Sequence, residues 1–127
     1  MRLAHVALWT RDIPSAADFW QRYFDAKVGL LYNSNRRPGF TSCFIELGPD
    51  RLQIELMSAP WIADKAADEC VGWDHIAISL GSIAAVDSLA ERCKSDNVLV
   101  SGPRRTGDGF YEAVIAAPDG TRVEITS

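Results

Sequence analysis

The feature that most constrains the fold of this 127-residue chain is an internal repeat of about 70 residues. His5 in "LAHVAL" and His75 in "DHIAIS" are the only two histidines, and each precedes an aliphatic residue and an alanine. Glu55 in "DRLQIELMS" has a counterpart, Glu124, in "DGTRVEITS". Because residues that bear chemistry recur at matching places, the sequence predicts two copies of one structural unit.

Each copy reads as a strand, a helix and three further strands. The first helix is expected in "DIPSAADFWQRYF", with Asp12 as N-cap and Pro14 in the first turn. The second is expected in "GSIAAVDSLAERCK", with Ser82 as N-cap. The apolar helix positions are Ile13, Ala16, Ala17, Trp20 and Phe24 in the first and Ile83, Val86, Leu89, Ala90 and Cys93 in the second.

The later strands are expected at residues 27–32, 41–47 and 51–57, and at residues 98–100, 110–116 and 121–126. Turn residues at 48–50 and 118–120 separate the last two strands of each copy.

This pattern predicts an α+β fold of two βαβββ modules in tandem, with curved mixed sheets. A single domain of residues 1–127 would comprise module one at about 1–57, a connector at 58–72 and module two at about 73–127. A repeat this short leaves a sheet face uncovered, so two copies must pack together, either in one chain or across a dimer. We expect a homodimer.

Strand alternation predicts where the repeated residues point. In the strand of Glu55, one face is aliphatic and the other carries the glutamate, and the strands of His75 and Glu124 alternate in the same way. His5 is placed by the repeat. A lone strand histidine is ordinarily a core residue and a lone glutamate ordinarily solvated, but the recurrence of both favours a shared site.

Neutral imidazole nitrogen and carboxylate oxygen suit a divalent ion such as zinc, nickel, iron, cobalt or manganese. We therefore predict that His5, Glu55, His75 and Glu124 bind one such metal ion, whose charge the two carboxylates balance.

The remaining polar and aromatic residues are expected in the environments that are usual for their residue types. Glu46 and Glu112 have no repeat support and are expected at the surface. The aromatic residues are expected in the core, with a pocket lining as the alternative: Trp9, Trp73, Phe110 and Tyr111. Four arginines are expected in loops, solvated or holding an anionic substrate group: Arg36, Arg37, Arg104 and Arg105.

Composition limits the classes of partner. A net charge of -4 and a pI near 5.1 argue against nucleic acid. The sequence has no membrane-length apolar run and no secretory signal. Cys43, Cys70 and Cys93 lack paired metal spacing and are expected to be reduced thiols. We therefore expect a cytoplasmic protein that binds a small molecule.

The stretches "LAHVAL", "LQIELM", "DHIAIS" and "PDGTRVEI" resemble the vicinal oxygen chelate superfamily, in particular its glyoxalase I-like branch (glyoxalase/bleomycin resistance/dioxygenase proteins). The resemblance covers residues 2–126. It implies a pair of βαβββ modules forming a metal-bearing cup, with the family's His, Glu, His and Glu ligands at His5, Glu55, His75 and Glu124.

The full ligand set most resembles that of glyoxalase I, a lactoylglutathione lyase. The resemblance implies a metal that polarises vicinal oxygens of a small substrate such as a thiol adduct, and a base, Glu124 or Glu55, that moves a proton between adjacent carbons. No glutathione-binding residues match. Two alternatives stay open: an Fe(II)-dependent dioxygenase on the same scaffold, and a non-catalytic protein that binds small molecules such as antibiotics.

Overall fold

The computed structural model describes residues 2–64, 67, 69, 71–107 and 109–127. The chain forms two compact units, Met1–Lys65 and Ala66–Ser127. Each contains one mixed β-sheet and one α-helix, which confirms the predicted α+β fold of two tandem modules. Within the described residues, no helix is both long and apolar enough to cross a lipid bilayer.

The first module contains a helix and five strands in one sheet, two of them short. In chain order these are β1 (Val6–Trp9), α1 (Ile13–Phe24), β2 (Lys27–Val28), β3 (Tyr32–Asn33), β4 (Thr41–Leu47) and β5 (Leu52–Ser58). The sheet order is β1-β5-β4-β2, and β3 also pairs with β4. The β1–β5 pair is parallel and the other pairs are antiparallel.

The second module repeats this order with four strands. Its elements are β6 (His75–Ser79), α2 (Ile83–Ser95), β7 (Leu99–Arg105), β8 (Tyr111–Ala116) and β9 (Arg122–Thr126). The sheet order is β6-β9-β8-β7, with β6 parallel to β9. In both modules the first strand therefore lies beside the last, at an edge of the sheet.

Both helices begin at the predicted caps. The side chain of Asp12 accepts a hydrogen bond from the Ser15 amide (3.1 Å), and that of Ser82 accepts one from the Ala85 amide (3.2 Å). The buried face of α1 is wider than expected because it includes Phe19 and Tyr23. The buried helix residues are Ile13, Ala16, Ala17, Phe19, Trp20 and Tyr23 in α1 and Val86, Leu89, Ala90 and Cys93 in α2.

Each helix packs on one face of the sheet in its own module: α1 on β2, β4 and β5, and α2 on β7, β8 and β9. The sheet residues beneath the helices are aliphatic and almost fully buried: Ile45, Ile54, Leu56, Ile115, Val123 and Ile125. Burying each such side chain stabilises the fold by about 1.5–3 kcal/mol. The aliphatic side chains of β5 and β9 thus take one face and leave the other to Glu55 and Glu124.

The strand expected at residues 27–32 is interrupted. Val28 pairs with Ile45 and Tyr32 pairs with Ser42. The segment from Val28 to Tyr32 is therefore one residue longer than the segment of β4 that lies beside it. This extra residue forms a β-bulge, which splits the strand into β2 and β3. Gly29 lies at the break, and a Cβ at this position would lie 2.9 Å from the Phe44 carbonyl oxygen.

The strand expected at residues 98–100 extends much further, to Arg105. Gly102 and Pro103 were expected beyond the end of this strand, yet they lie within β7, where its register with β8 shifts. Gly102 has a φ of +90°, and a Cβ there would lie 2.8 Å from the carbonyl oxygen of Glu112. Glycine therefore permits the close approach of β7 to β8.

Candidate metal centre

The first module brings His5 and Glu55 together. Ala7 on β1 lies opposite Glu55 on β5, and His5 lies two residues before Ala7, immediately ahead of β1. Nε2 of His5 lies 3.8 Å from Oε2 of Glu55. Phe44, the neighbour of Glu55 on β4, contacts the His5 ring edge-on, with centroids 5.3 Å apart. The aromatic ring therefore limits the positions that this imidazole can take.

The second module brings His75 and Glu124 together in the same way. Ala77 on β6 lies opposite Glu124 on β9, and His75 precedes Ala77 by two residues. Nε2 of His75 lies 3.5 Å from Oε2 of Glu124. In both pairs the imidazole side chain is about 40% exposed and the carboxylate side chain below 20% exposed. The repeat in the sequence is therefore also a repeat in strand register and in solvent access.

The carboxylate of Asp74 supports the second pair, which the sequence reasoning did not anticipate. Nδ1 of His75 lies 2.8 Å from Oδ2 of Asp74, and Nη1 of Arg122 lies 3.4 Å from Oδ1 of the same residue. Because an ionised carboxylate only accepts hydrogen bonds, the proton of a neutral His75 ring is held on Nδ1. This leaves the lone pair on Nε2, the nitrogen nearer to Glu124. The adjacent "DH" in the sequence was the available signal.

The atoms in both pairs suit a divalent ion. Two donors bound to one ion at about 2.0–2.2 Å lie roughly 3.0–3.5 Å apart at bond angles of about 90–110°. The observed 3.5 Å lies at the end of this range, and 3.8 Å lies just beyond it. A histidine whose other nitrogen faces a carboxylate is a common arrangement around protein-bound metals.

Each module supplies two donors of the predicted set. Within the part of the chain that the structure describes, no three or more His, Cys, Asp or Glu side chains are grouped so that they could hold a metal ion. Each module by itself therefore brings together one His–Glu pair.

Glu46 and Glu112 are not free surface residues, which corrects the sequence-based expectation. Glu112 is buried, with 6% of its surface exposed, and its Oε1 accepts a hydrogen bond from Arg104 at 3.2 Å. Glu46 is half-buried and accepts a hydrogen bond from Arg51 at 2.9 Å. Both glutamates lie on the same sheet face as the His–Glu pair of their module, because they share strand parity with Phe44 and Val114, the neighbours of Glu55 and Glu124.

The expected core position of four aromatic residues is also wrong. Trp9, Trp73 and Phe110 are 44%, 84% and 51% exposed, and Tyr111 is half-buried. The aromatic core of the first module comes from α1 instead, through Phe19, Trp20 and Tyr23.

Two of the four arginines lie in a strand. Arg104 and Arg105 belong to β7 because that strand continues past Pro103. Arg104 also donates a hydrogen bond to the Ser101 hydroxyl at 3.0 Å, and Arg105 lies over the Tyr111 ring. Arg36 and Arg37 lie in the loop between β3 and β4, as predicted.

The described cysteines face the core. Cys43 lies opposite Leu56 on the helix-covered face of its sheet, and burial raises the pKa of its thiol. Cys93 is buried on α2, and neither Cys43 nor Cys93 is part of a disulfide. Cys70 lies outside the described residues. The helix-facing position of Cys43 makes it unsuitable as a nucleophile acting with His5.

The pattern of the family described as "Glyoxalase/Bleomycin resistance protein/Dioxygenase superfamily" matches residues 2–125. No curated protein sequence matches the chain significantly. Among solved structures, a glyoxylase/bleomycin resistance protein/dioxygenase domain from Frankia sp. EAN1pec is similar, with a TM-score of 0.84 and 19% identity over 99% of this chain and 96% of that one.

Two further structures resemble this fold. The trypanothione-dependent glyoxalase I of Leishmania major has a TM-score of 0.77 and 22% identity, over 100% of this chain and 86% of that one. A variant of the fosfomycin resistance protein FosX from Listeria monocytogenes has a TM-score of 0.74 and 20% identity, over 98% of this chain and 90% of that one. It was solved with Mn(II) and 1S,2S-dihydroxypropylphosphonic acid. At these identities the similarity establishes the fold.

Proposed function

The chain belongs to the glyoxalase/bleomycin resistance protein/dioxygenase superfamily, and from this premise we propose that it is a metal-dependent enzyme of the glyoxalase I type. In this proposal His5, Glu55, His75 and Glu124 hold one divalent ion, and the reaction is a proton transfer between adjacent carbons of a small substrate with vicinal oxygens. Its class is that of a lyase or isomerase.

One observation carries the proposal: both modules place a histidine and a glutamate on the same sheet face with the same register. Ala7 opposes Glu55 as Ala77 opposes Glu124, and the imidazole lies two residues earlier each time. An isolated surface ion pair would not have to occur twice with the same register. A metal centre that takes two ligands from each module requires this duplication, because one pair alone does not satisfy a divalent ion.

The residues have distinct roles in this proposal. The two imidazoles and the two carboxylates hold the ion, which when bound supplies Lewis-acid polarisation of the substrate's adjacent oxygens. Asp74 keeps the His75 proton on Nδ1, so that Nε2 remains a ligand. The exposed fraction of His5 and His75 leaves room for a substrate beside them.

A glutamate is the base. One carboxylate oxygen of Glu55 or Glu124 takes the proton from the hydroxyl-bearing carbon next to a carbonyl and returns it to the former carbonyl carbon, while the hydroxyl proton passes to the oxygen of that second carbon, so that carbonyl and hydroxyl exchange places. The carboxylate ends as it began, and no oxidant or reductant is needed. The low exposure of both carboxylates, 19% and 16%, supports this role because few water molecules compete for the proton.

The metal content of the purified protein is the first test. We expect about one divalent ion per four-ligand site, and a loss of at least about 100-fold in metal affinity in His5→Ala and in His75→Ala, with the circular dichroism spectrum unchanged. Glu55→Gln removes a proposed carboxylate ligand, and Glu46→Gln is its matched control because both residues lie on the same sheet face. The control should bind metal like the wild type. Full metal occupancy in both histidine variants would refute the ligand assignment.

The reaction class is tested by following exchange of the substrate proton with deuterated water, using hemithioacetals of small dicarbonyl compounds with several thiols. We expect exchange in the metal-loaded protein and its loss in Glu55→Gln or Glu124→Gln. Exchange that persists in both variants places the base elsewhere. Consumption of dioxygen by the iron-loaded protein would instead support the dioxygenase alternative.

The two histidine variants also tell whether the site lies in one chain or across two copies. Mixing and refolding the His5→Ala and His75→Ala chains regenerates one intact site per mixed dimer only if each ion takes one pair from each copy. If both pairs come from the same chain, the mixture binds no more metal than its components.

A further inference from the structure

The loop between β3 and β4 is a compact, hydrogen-bonded segment that the proposed chemistry does not use. The amide of Ser34 donates to the carbonyl of Phe40 (3.0 Å), and the amide of Phe40 donates to the carbonyl of Arg37 (2.9 Å). The amide of Arg37 donates to the Ser34 hydroxyl at 3.0 Å. These bonds close the loop on itself and fix the direction in which the Arg37 side chain leaves it.

The loop packs tightly on residues Pro60 and Trp61, which follow β5. Gly39 has a φ of +91°, and a Cβ there would lie 3.0 Å from Cδ of Pro60 and 3.7 Å from the Trp61 ring. Only glycine meets both the backbone and the space requirement without strain. The position of the loop against Trp61 is therefore built into the sequence.

The guanidinium of Arg37 lies over two aromatic rings. Its Cζ is 5.1 Å from the centroid of the Phe40 ring and 5.1 Å from that of the Trp61 ring. Both distances are within the range of cation–π attraction. Two rings hold the planar group in place, whereas a typical exposed arginine is a mobile, hydrated cation.

Arg37 has no carboxylate partner among the described residues, and its side chain donates no hydrogen bond to them. Arg11, Arg51 and Arg104 each contact an acidic side chain. A guanidinium carries five N–H donors in a planar fork that matches an oxyanion. The fork of Arg37 is thus positioned and available for a ligand.

The aromatic rings around Arg37 extend, through Trp9, to the sheet face that carries His5 and Glu55. In β1 the side chain of Trp9 is on the same face as that of Ala7, which lies opposite Glu55. The Trp9 ring contacts the Phe40 ring edge-on, at a centroid distance of 6.0 Å. Trp9 and Trp61 are 44% and 50% exposed. A ligand can therefore contact these rings and the arginine from solvent.

We infer that Arg37, held by Phe40 and Trp61, is a subsite for the oxyanion, a carboxylate or a phosphonate, of an organic ligand. His5 and Trp9 are four residues apart on an extended strand, a span of roughly 13 Å. A ligand that joins both sites is therefore elongated, with vicinal oxygens at one end and an oxyanion at the other. Only this link between the two ends rests on the proposed function.

The test uses protein stripped of metal by passage over a chelating resin, so that it does not depend on the four-ligand centre. Benzoate and phenylphosphonate serve as the two oxyanion probes, and benzamide serves as the uncharged analogue of benzoate. Binding is followed by the change in tryptophan fluorescence. The stronger of the two anions identifies the preferred oxyanion.

We expect saturable binding of an anion, with benzamide at least about tenfold weaker because a charge-assisted hydrogen bond to the guanidinium is lost. Arg37→Gln should weaken anion binding by at least about tenfold, and Arg37→Lys, which keeps the charge but not the fork, should weaken it less. Arg36→Gln, the neighbouring arginine without a ring contact, is the matched control and should bind like the wild type.

The inference is overturned if the wild type shows no saturable binding, if benzamide binds as well as benzoate, or if Arg37→Gln and Arg36→Gln have equal effects. Because the protein carries no metal in this experiment, a failure of the metal-site assignment leaves these outcomes unaltered. Conversely, if Arg37 binds no anion, the expected difference in metal affinity between the wild type and His5→Ala is unaffected.

Discussion

Nδ1 of His75 lies 2.8 Å from the carboxylate of Asp74, its neighbour in sequence. Such a contact is possible because Asp74 precedes β6, where the alternation of side chains in the strand does not yet apply. The carboxylate fixes the tautomer and the orientation of the imidazole, and Arg122 holds the carboxylate in turn. The His75–Glu124 pair is therefore the better oriented of the two candidate half-sites.

Replacing Asp74 should weaken metal binding without removing a ligand. We expect Asp74→Asn to lower metal affinity by about 10- to 100-fold, because an amide can present either its oxygen or its nitrogen to Nδ1 and therefore does not hold the ring proton there. Competition with a chromogenic chelator measures this effect. Asp64→Asn is the control, since Asp64 is an exposed carboxylate that pairs with Arg11, and equal effects of the two variants would contradict the role of Asp74.

The Arg104–Glu112 pair should contribute more to stability than the Arg51–Glu46 pair. Arg104→Ala leaves a buried carboxylate without its cation, and we expect a loss of about 1–3 kcal/mol in the free energy of unfolding. Arg51 is 75% exposed, so Arg51→Ala should cost about 0–1 kcal/mol. Urea unfolding of both variants checks the order, and a larger effect of Arg51→Ala would be the contrary result.

The phenol of Tyr111 should titrate above its ordinary range. A hydrogen bond of 2.6 Å to Asp87 raises its pKa, with further contributions from desolvation and the negative charge of Asp87. Because the folded-state pKa exceeds the unfolded value of about 10, this contribution to stability is complete below pH 10 and is lost as the pH rises through the folded-state pKa. Absorbance at 295 nm, compared between wild type and Tyr111→Phe, should show this, and Asp87→Asn should move the titration back towards pH 10.

Cys43 should react slowly with thiol reagents in the native protein. It is 3% exposed, and the raised pKa of its thiol leaves little thiolate at neutral pH. Peptide mapping after iodoacetamide treatment should find it unmodified in buffer and modified in concentrated urea. Rapid native labelling would show that the face of β4 against α1 opens readily.

The local structure was largely predictable from the sequence because its signals are local. Asp12 with Pro14, and Ser82 before an amphipathic stretch, determine where both helices begin. The alternation around Ile54 and Val123 identifies the helix-facing side of β5 and β9 correctly. The repeat then brings His5 to Glu55 and His75 to Glu124, although it does not specify the parallel register that sets their distances.

Contacts between distant segments were not predictable in the same way. Glu112 appeared to be a surface residue because nothing near it in sequence shows that β7 continues past Gly102 and Pro103 and brings Arg104 beside it. Likewise, the bulge that separates Val28 from Tyr32 appears only when the register with β4 is known. The contact of Asp74 with His75 was missed because the alternation of side chains applies only within a strand, and Asp74 precedes β6.

Because α1 and α2 each pack on the sheet of their own module, the hydrophobic core beneath one His–Glu pair is made from a different stretch of sequence than the core beneath the other. A substitution in one core can therefore alter the surroundings of one His–Glu pair without changing the core beneath the other. Asp74 beside His75 and Phe44 beside His5 are two contacts by which these surroundings differ. The repeated architecture thus gives two pairs of the same register in different local environments.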